Sequence, residues 1–173
     1  MPQEYGTIYK KRLSTFIIEM EALSMYFVDR NKITQNLTHL NELIAIFEGT
    51  ENWLAGDIHT LALQRIGHNM MEAMMDVGNL VIDGFIMRDP GSYEDIIDIF
   101  VDEKVITPEM DAPLKAVVGL RKMIVREFIA VDNEEILNVL TKNLPTLKQF
   151  SGKVHDYLTN ELGPVSAFLP EDK

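Results

Sequence analysis

The chain has 173 residues, 46% of them apolar and 25% charged, which is enough for one hydrophobic core and too apolar for a disordered chain. Its net charge of -11 sets most of the surface against a phosphate backbone, so any nucleic-acid contact must come from a local basic patch. With no cysteine, disulfides and thiolate metal sites are excluded, and the composition fits a cytoplasmic protein.

The basic cluster Lys10, Lys11 and Arg12 is followed by an apolar stretch that Glu19 and Glu21 interrupt, with no small-residue cleavage site, so secretion is not expected. Asp76 and Asp83 break the other long apolar run, and no stretch reaches the roughly eighteen residues of a membrane span. Ile33, Leu37, Leu40, Ile44 and Phe47 alternate four and three apart, which predicts a helix from about Asp29 to Glu48. Gly49 ends it. After the turn GTENWLAG, Asp57 is placed to cap a long helix reaching about Phe85. Its stripe of Leu63, Ile66, Met70, Met74, Val77, Val81 and Phe85 would run for roughly 40 Å at about 1.5 Å per residue.

The segment RDPGSYED breaks the chain at Pro90 and Gly91, and Ser92 with Asp95 resembles a capping arrangement for a short helix to about Glu103. Ile96, Ile97 and Phe100 would turn inward. Thr107 before Pro108 reads as a capped helix start, since proline at the first helical position gives up no hydrogen bond. That helix carries the segment GLRKMIVREF, Gly119 to Phe128. A last helix starts at Asp132, with Glu135 three residues on, and runs through Leu140, Leu144, Leu147, Phe150 and Val154 to about Leu158. Pro145 should bend it. With no strand alternation, repeat or low-complexity tract, the expected fold is an all-α bundle. The apolar stripes of the long helices offer more surface than one such bundle buries, which predicts a homodimer.

The segment GLRKMIVREF resembles the signature of the HepT-like branch of the HEPN family. There an Arg, usually with Asn beside it, is followed after four to six residues by His and commonly by Tyr two residues later. Arg121 matches the Arg, Lys122 stands where Asn is usual, Arg126 where His is needed and Phe128 where Tyr is frequent. The likeness covers roughly Met25 to Leu158. It includes an opening VDR at Val28 to Arg30, the small and acidic positions from Ala73 to Gly78, and the break from Pro90 to Tyr93. Gly119, Leu120 and Arg121, the pair Val131 and Asp132, and Asn143 to Pro145 complete it. Residues 1–24 then read as an N-terminal extension or an upstream start, and 25–173 as the domain. The resemblance implies a HEPN-like antiparallel helical bundle, homodimeric, related to metal-independent ribonuclease toxins of toxin–antitoxin systems and needing no cofactor. It also implies an MNT-type nucleotidyltransferase antitoxin as a partner.

Metal-independent RNA cleavage uses the neighbouring 2′-hydroxyl as nucleophile, so the protein must supply proton transfer and a cation for the crowded phosphate. By the resemblance, the motif His and Arg of two copies supply these across a dimer cleft. Arg121 keeps the electrostatic part. Arg126 cannot take the proton, because a guanidinium stays protonated and offers no acceptor. The expected protein is therefore a weak or inactive nuclease with a degenerate motif; His68, His155 or Glu127 acting as a displaced base, or an adaptor dimer binding a protein, are the rival readings. Phe128 has no hydroxyl to accept the nucleotide that the family's antitoxin transfers to the motif Tyr. Arg121, Lys122 and Arg126 remain as candidate ligands of RNA phosphate or a nucleotide, unless ion pairs with Glu127 and Asp132 absorb them.

His68, Glu72 and Asp76 recur every four residues and share a helix face, a weak metal pattern more readily explained as a polar or hydrogen-bonded line, and no metal is expected. His39 and His59 lie apart from them. Met70, Met71, Met74 and Met75 suit a core or a dimer surface before a peptide groove.

Overall fold

The structure, a computed structural model, describes residues 28–161 and Phe168. The N-terminal extension read from the sequence, residues 1–24, and the start at Met25 lie outside the described residues. Among the described residues the chain forms α1 (Arg30–Gly49), α2 (Asp57–Gly84), α3 (Tyr93–Asp102), α4 (Asp111–Arg121) and α5 (Asn133–Asn160), with no strand. The all-α fold expected from the sequence is the one observed. No helix of the described residues is long and apolar enough to cross a membrane.

Local chemistry sets most of the helix ends. The Asp29 side chain accepts from the Asn31 amide at the start of α1, Ser92 from the Asp95 amide at α3 and Asp132 from the Glu135 amide at α5, each satisfying an orphan N–H of a first turn. Two starts differ from expectation. Gly56, not Asp57, is the N-cap of α2; its φ of 155° and ψ of 179° belong to a region that glycine alone occupies freely. The helix therefore begins at Asp57, whose charge still complements the positive helix end. Thr107 stands at the N-cap with Pro108 after it, but its side chain makes no cap hydrogen bond, and what it starts is a 3-10 turn, Pro108–Met110, that leads into α4. The Glu109 carboxylate accepts from its own amide and from the Thr107 hydroxyl, which together hold it below the usual carboxylate range.

Helix α2 packs against α1, α3, α4 and α5 and is the axis of the fold. Its residues Met70, Met71 and Met74 are fully buried and Met75 nearly so, which makes them core. Ile33, Leu40, Leu63, Val77, Val81, Ile97, Phe100, Leu140, Leu147, Phe150 and Val154 meet them from the expected stripes. These stripes are used up inside one chain, so they do not supply the surplus apolar surface that the sequence argument for a dimer relied on. Among the described residues, the large apolar side chains that stay exposed include Ile46, Leu54 and Ile86 as well as Ile58 and Leu61 near the start of α2 and Val125, Phe128 and Ile129 beyond α4.

At Gly78 the α2 backbone comes so close to α3 that a Cβ there would lie 2.4 Å from Cγ2 of Ile96. This contact fixes how α3, and the loop leading into it, sit over α2. The loop is also clasped from within. Arg88 donates to both carboxylate oxygens of Asp95, at 2.8 and 2.6 Å, and the Gly91 amide donates to the same group at 2.7 Å. Helix α5 continues through Pro145, which has no N–H to offer the Thr141 carbonyl.

Candidate anion-binding site

The segment GLRKMIVREF does not lie on one α-helix. Helix α4 ends at Arg121, and Lys122–Arg126 winds as a π turn, closed by the Glu127 amide donating to the Lys122 carbonyl at 3.2 Å. On an α-helix, at about 100° per residue, Arg121 and Arg126 would point roughly 140° apart. Winding from i to i+5 brings residues five apart nearly one above the other. The π turn therefore turns Arg121 and Arg126 toward the same side.

The result is a cavity of about 430 Å³ lined by Arg121, Lys122 and Arg126 together with Val118, Gly119 and the loop residues Gly91, Ser92, Tyr93 and Glu94. Each cation is held differently. Arg121 is the most enclosed, its side chain 23% exposed; its Nε donates to Oε1 of Glu72 at 3.0 Å, and its guanidinium carbon lies 4.3 Å from the centre of the Tyr93 ring. Lys122 forms the surface ion pair with Glu127 that the sequence offered, at 3.2 Å, with both groups largely in water. Such a pair contributes little and exchanges readily for another anion. Asp132, the other acid considered as a partner, spends its side chain capping α5. Arg126 is exposed and forms no ion pair among the described residues.

Glu72 lies in a hydrogen-bonded line, as its spacing suggested, but its main partner stands on another helix. It belonged to a ladder with His68 and Asp76, but its carboxylate is turned to Arg121, with Nε2 of His68 3.6 Å from the same oxygen. Asp76 is exposed, and among the described residues no group of three His, Asp or Glu side chains is placed to hold a metal ion. His68, Glu72 and Arg121 thus form one line across α2 and α4. The other rival bases stand apart from it: His155 is on an exposed face of α5 and Glu127 faces Lys122. Tyr93, read from the sequence only as the end of a chain break, is a wall of the cavity. Only its place beside Pro90, Gly91 and Ser92 hinted that the residue had been set in a rigid turn.

Next to this site, Leu61, Val125 and Phe128 line a shallow apolar hollow with Gln64, Arg65, His68 and Ile124. Phe128 is 68% exposed and Ile129 91%. Ile58 lies one turn before Leu61 on α2 and extends the same apolar surface.

A family model described as ribonuclease HepT-like matches residues 33–154. A protein of Bacillus subtilis (strain 168) with the name "Putative RNase YutE" is 46% identical over 144 residues, which are 83% of this chain and 99% of that protein. The solved structure of YutE, described as a cytosolic protein of unknown function, superposes with a TM-score of 0.77 at 45% identity, over 83% of this chain and 99% of that one. A tri-AMPylated HEPN toxin of Shewanella oneidensis, solved in complex with an MNT antitoxin, superposes with a TM-score of 0.61 at 20% identity. That match covers 73% of this chain and 95% of the toxin and shows the shared fold.

Proposed function

The chain belongs to the ribonuclease HepT-like family, and from that premise we propose that it works as a homodimer that holds RNA phosphate at Arg121, Lys122 and Arg126 and cleaves weakly or not at all. One observation carries this reading: three cations line one cavity in a chain whose net charge is -11. A strand approaching an acidic protein is drawn to the place where its cations gather. Arg121 is oriented by Glu72 and Tyr93, so the guanidinium reaches a phosphate with little reordering. Arg126 adds a second cation without an acceptor, and proton transfer from the 2′-hydroxyl has no agent at that position.

The dimer in this reading is supported by the exposed apolar surface around Leu61, Val125 and Phe128, which adjoins the cationic cavity. Two copies meeting there would bring both cationic sets to one cleft. A nucleotidyltransferase partner of the MNT type accords with the company the Shewanella relative keeps, and Phe128 gives such a partner no hydroxyl to modify.

A second reading has its own observation. His68 stands 3.6 Å from the Glu72 oxygen that also binds Arg121, so it is the histidine placed to act as a displaced base. The two readings part in one assay. Purified protein is incubated with labelled single-stranded RNA in EDTA, beside Arg121→Ala, His68→Ala and the double variant Lys122→Asn with Arg126→His. The first reading expects binding that Arg121→Ala weakens, background cleavage by the unmodified chain, and cleavage gained by the double variant, since general acid–base catalysis is worth about a hundred- to ten-thousand-fold. Robust cleavage lost in both Arg121→Ala and His68→Ala would establish the second reading and refute the first.

A further inference from the structure

We propose that Tyr93 is the base-contacting residue of the cationic cavity: a nucleobase of single-stranded RNA stacks on its ring while the adjoining phosphate is taken by Arg126 and Lys122. This rests on the RNA-binding reading above and adds to it the group that tells a base-bearing strand from a bare phosphate chain.

Three features converge on this ring. First, the described aromatic residues nearly all pair with one another: Phe47 with Trp53, Phe85 with Tyr157 and Phe168, Phe100 with Phe150. The rings outside these pairs are Phe128, on the apolar surface, and Tyr93, in the cavity with the three cations. Second, Tyr93 meets the Arg121 guanidinium and is still 38% exposed, so part of the ring stays open to a planar partner. An aromatic ring already carrying a guanidinium can hold a base by stacking in the same array, and every base has a π face to offer.

Third, the ring does not have to be ordered when a ligand arrives. Asp95 ties the loop into a fixed shape through Arg88 and the Gly91 amide, the Ser92 hydroxyl caps the Asp95 amide at 3.2 Å, and Tyr93 is the first residue of α3. Glu72 fixes Arg121 from the side of α2. Ring and cations are therefore preorganised relative to one another, which is what makes a small site bind. Aligned this way, the cavity reads a strand by two independent interactions: charge for the backbone and π surface for the base.

The test is fluorescence anisotropy of the full chain with an end-labelled oligouridylate of eight nucleotides and with an abasic oligomer of equal length, each titrated at several salt concentrations. The unmodified protein should bind the base-bearing strand more tightly by about five- to a hundred-fold, the range that base–aromatic stacking spans. Tyr93→Leu should lose that preference while keeping the slope of affinity against salt, and Tyr93→Phe should retain it. Arg126→Ala should instead weaken both oligomers and flatten the salt slope by about 0.7 for a lost phosphate contact on a single strand. Equal affinity of the unmodified protein for the two oligomers overturns the stacking proposal, even if Tyr93→Leu fails to fold. Loss in Tyr93→Phe equal to that in Tyr93→Leu also overturns it, because the hydroxyl would then be the contact. Both outcomes leave the RNA-binding reading standing if Arg126→Ala weakens binding. Binding of neither oligomer at low salt would refute the RNA reading and this proposal together.

Discussion

Replacing Gly78 by alanine tests the helix contact that seats α3, whose first residue is Tyr93, over α2. The new methyl carbon would stand 2.4 Å from Cγ2 of Ile96, about an ångström inside ordinary carbon–carbon contact. Ile96 is 3% exposed, and Cγ2 sits on its branched β-carbon, so the methyl cannot swing away without a new χ1 or a shift of α3. Overpacking of this kind costs about 1–3 kcal/mol, while alanine in place of glycine inside a helix returns about 0.8–1 kcal/mol. The difference is a net loss near 1 kcal/mol, which lowers the melting temperature by roughly 4 °C in a domain of this size. Ile96→Ala alone should cost about 2–5 kcal/mol through the cavity it leaves. In the double variant the alanine at 78 fills part of that space, so the combined loss should fall short of the sum by about 1 kcal/mol. Thermal and urea melts followed by circular dichroism give all three values. A Gly78→Ala variant that gains the full helix-propensity benefit, with an additive double variant, would refute the close approach of α2 and α3. Because α3 begins at Tyr93, the displaced helix should also weaken RNA binding.

Two further measurements probe other parts of the chain. The Asp95 carboxyl is held down at about 2 by the Arg88 side chain first and the Gly91 amide second. A depressed carboxyl contributes stability above its unfolded pKa, about 3.9, and loses it as pH falls through 2. The loop clasp should therefore survive to about pH 3 and fail below it. Carbon-detected NMR titration of Asp95 checks this, and Arg88→Gln should return its midpoint part of the way to the ordinary range; an unchanged midpoint would show that the clasp is not what holds it. Pro145 is exposed in the interior of α5, so Pro145→Ala should stabilise the protein by about 1–2 kcal/mol, the restored Thr141 hydrogen bond outweighing a freer unfolded chain. A lower melting temperature would mean that the proline ring takes part in packing.

What could be read in advance was whatever depends on near neighbours. Ser92 and Asp132 cap from three residues away, and the stripes of α1 and α5 need only their own periodicity. Gly56 was missed because an acidic residue stood beside it and offered a more familiar cap. The π turn was missed because Met123, Ile124 and Val125 are apolar in either winding, and polarity does not record which carbonyl an amide selects. The partnership of Glu72 with Arg121 joins residues far apart in the chain, and no local pattern holds that information. The close spacing of Arg121, Lys122 and Arg126 marked a basic patch; the fold decided that Tyr93 belongs to it.

The turn at Lys122–Arg126 also bears on how this signature varies. An i→i+5 turn stores one residue more than the α-helix would use to reach the same end point, so the segment carries slack. A sequence one residue shorter can wind as α-helix and still deliver its second basic or acid–base group to the cavity mouth. Position along the chain and position in the site are only loosely geared to each other, and residues of two relatives correspond when they face the same wall, whatever the count between them.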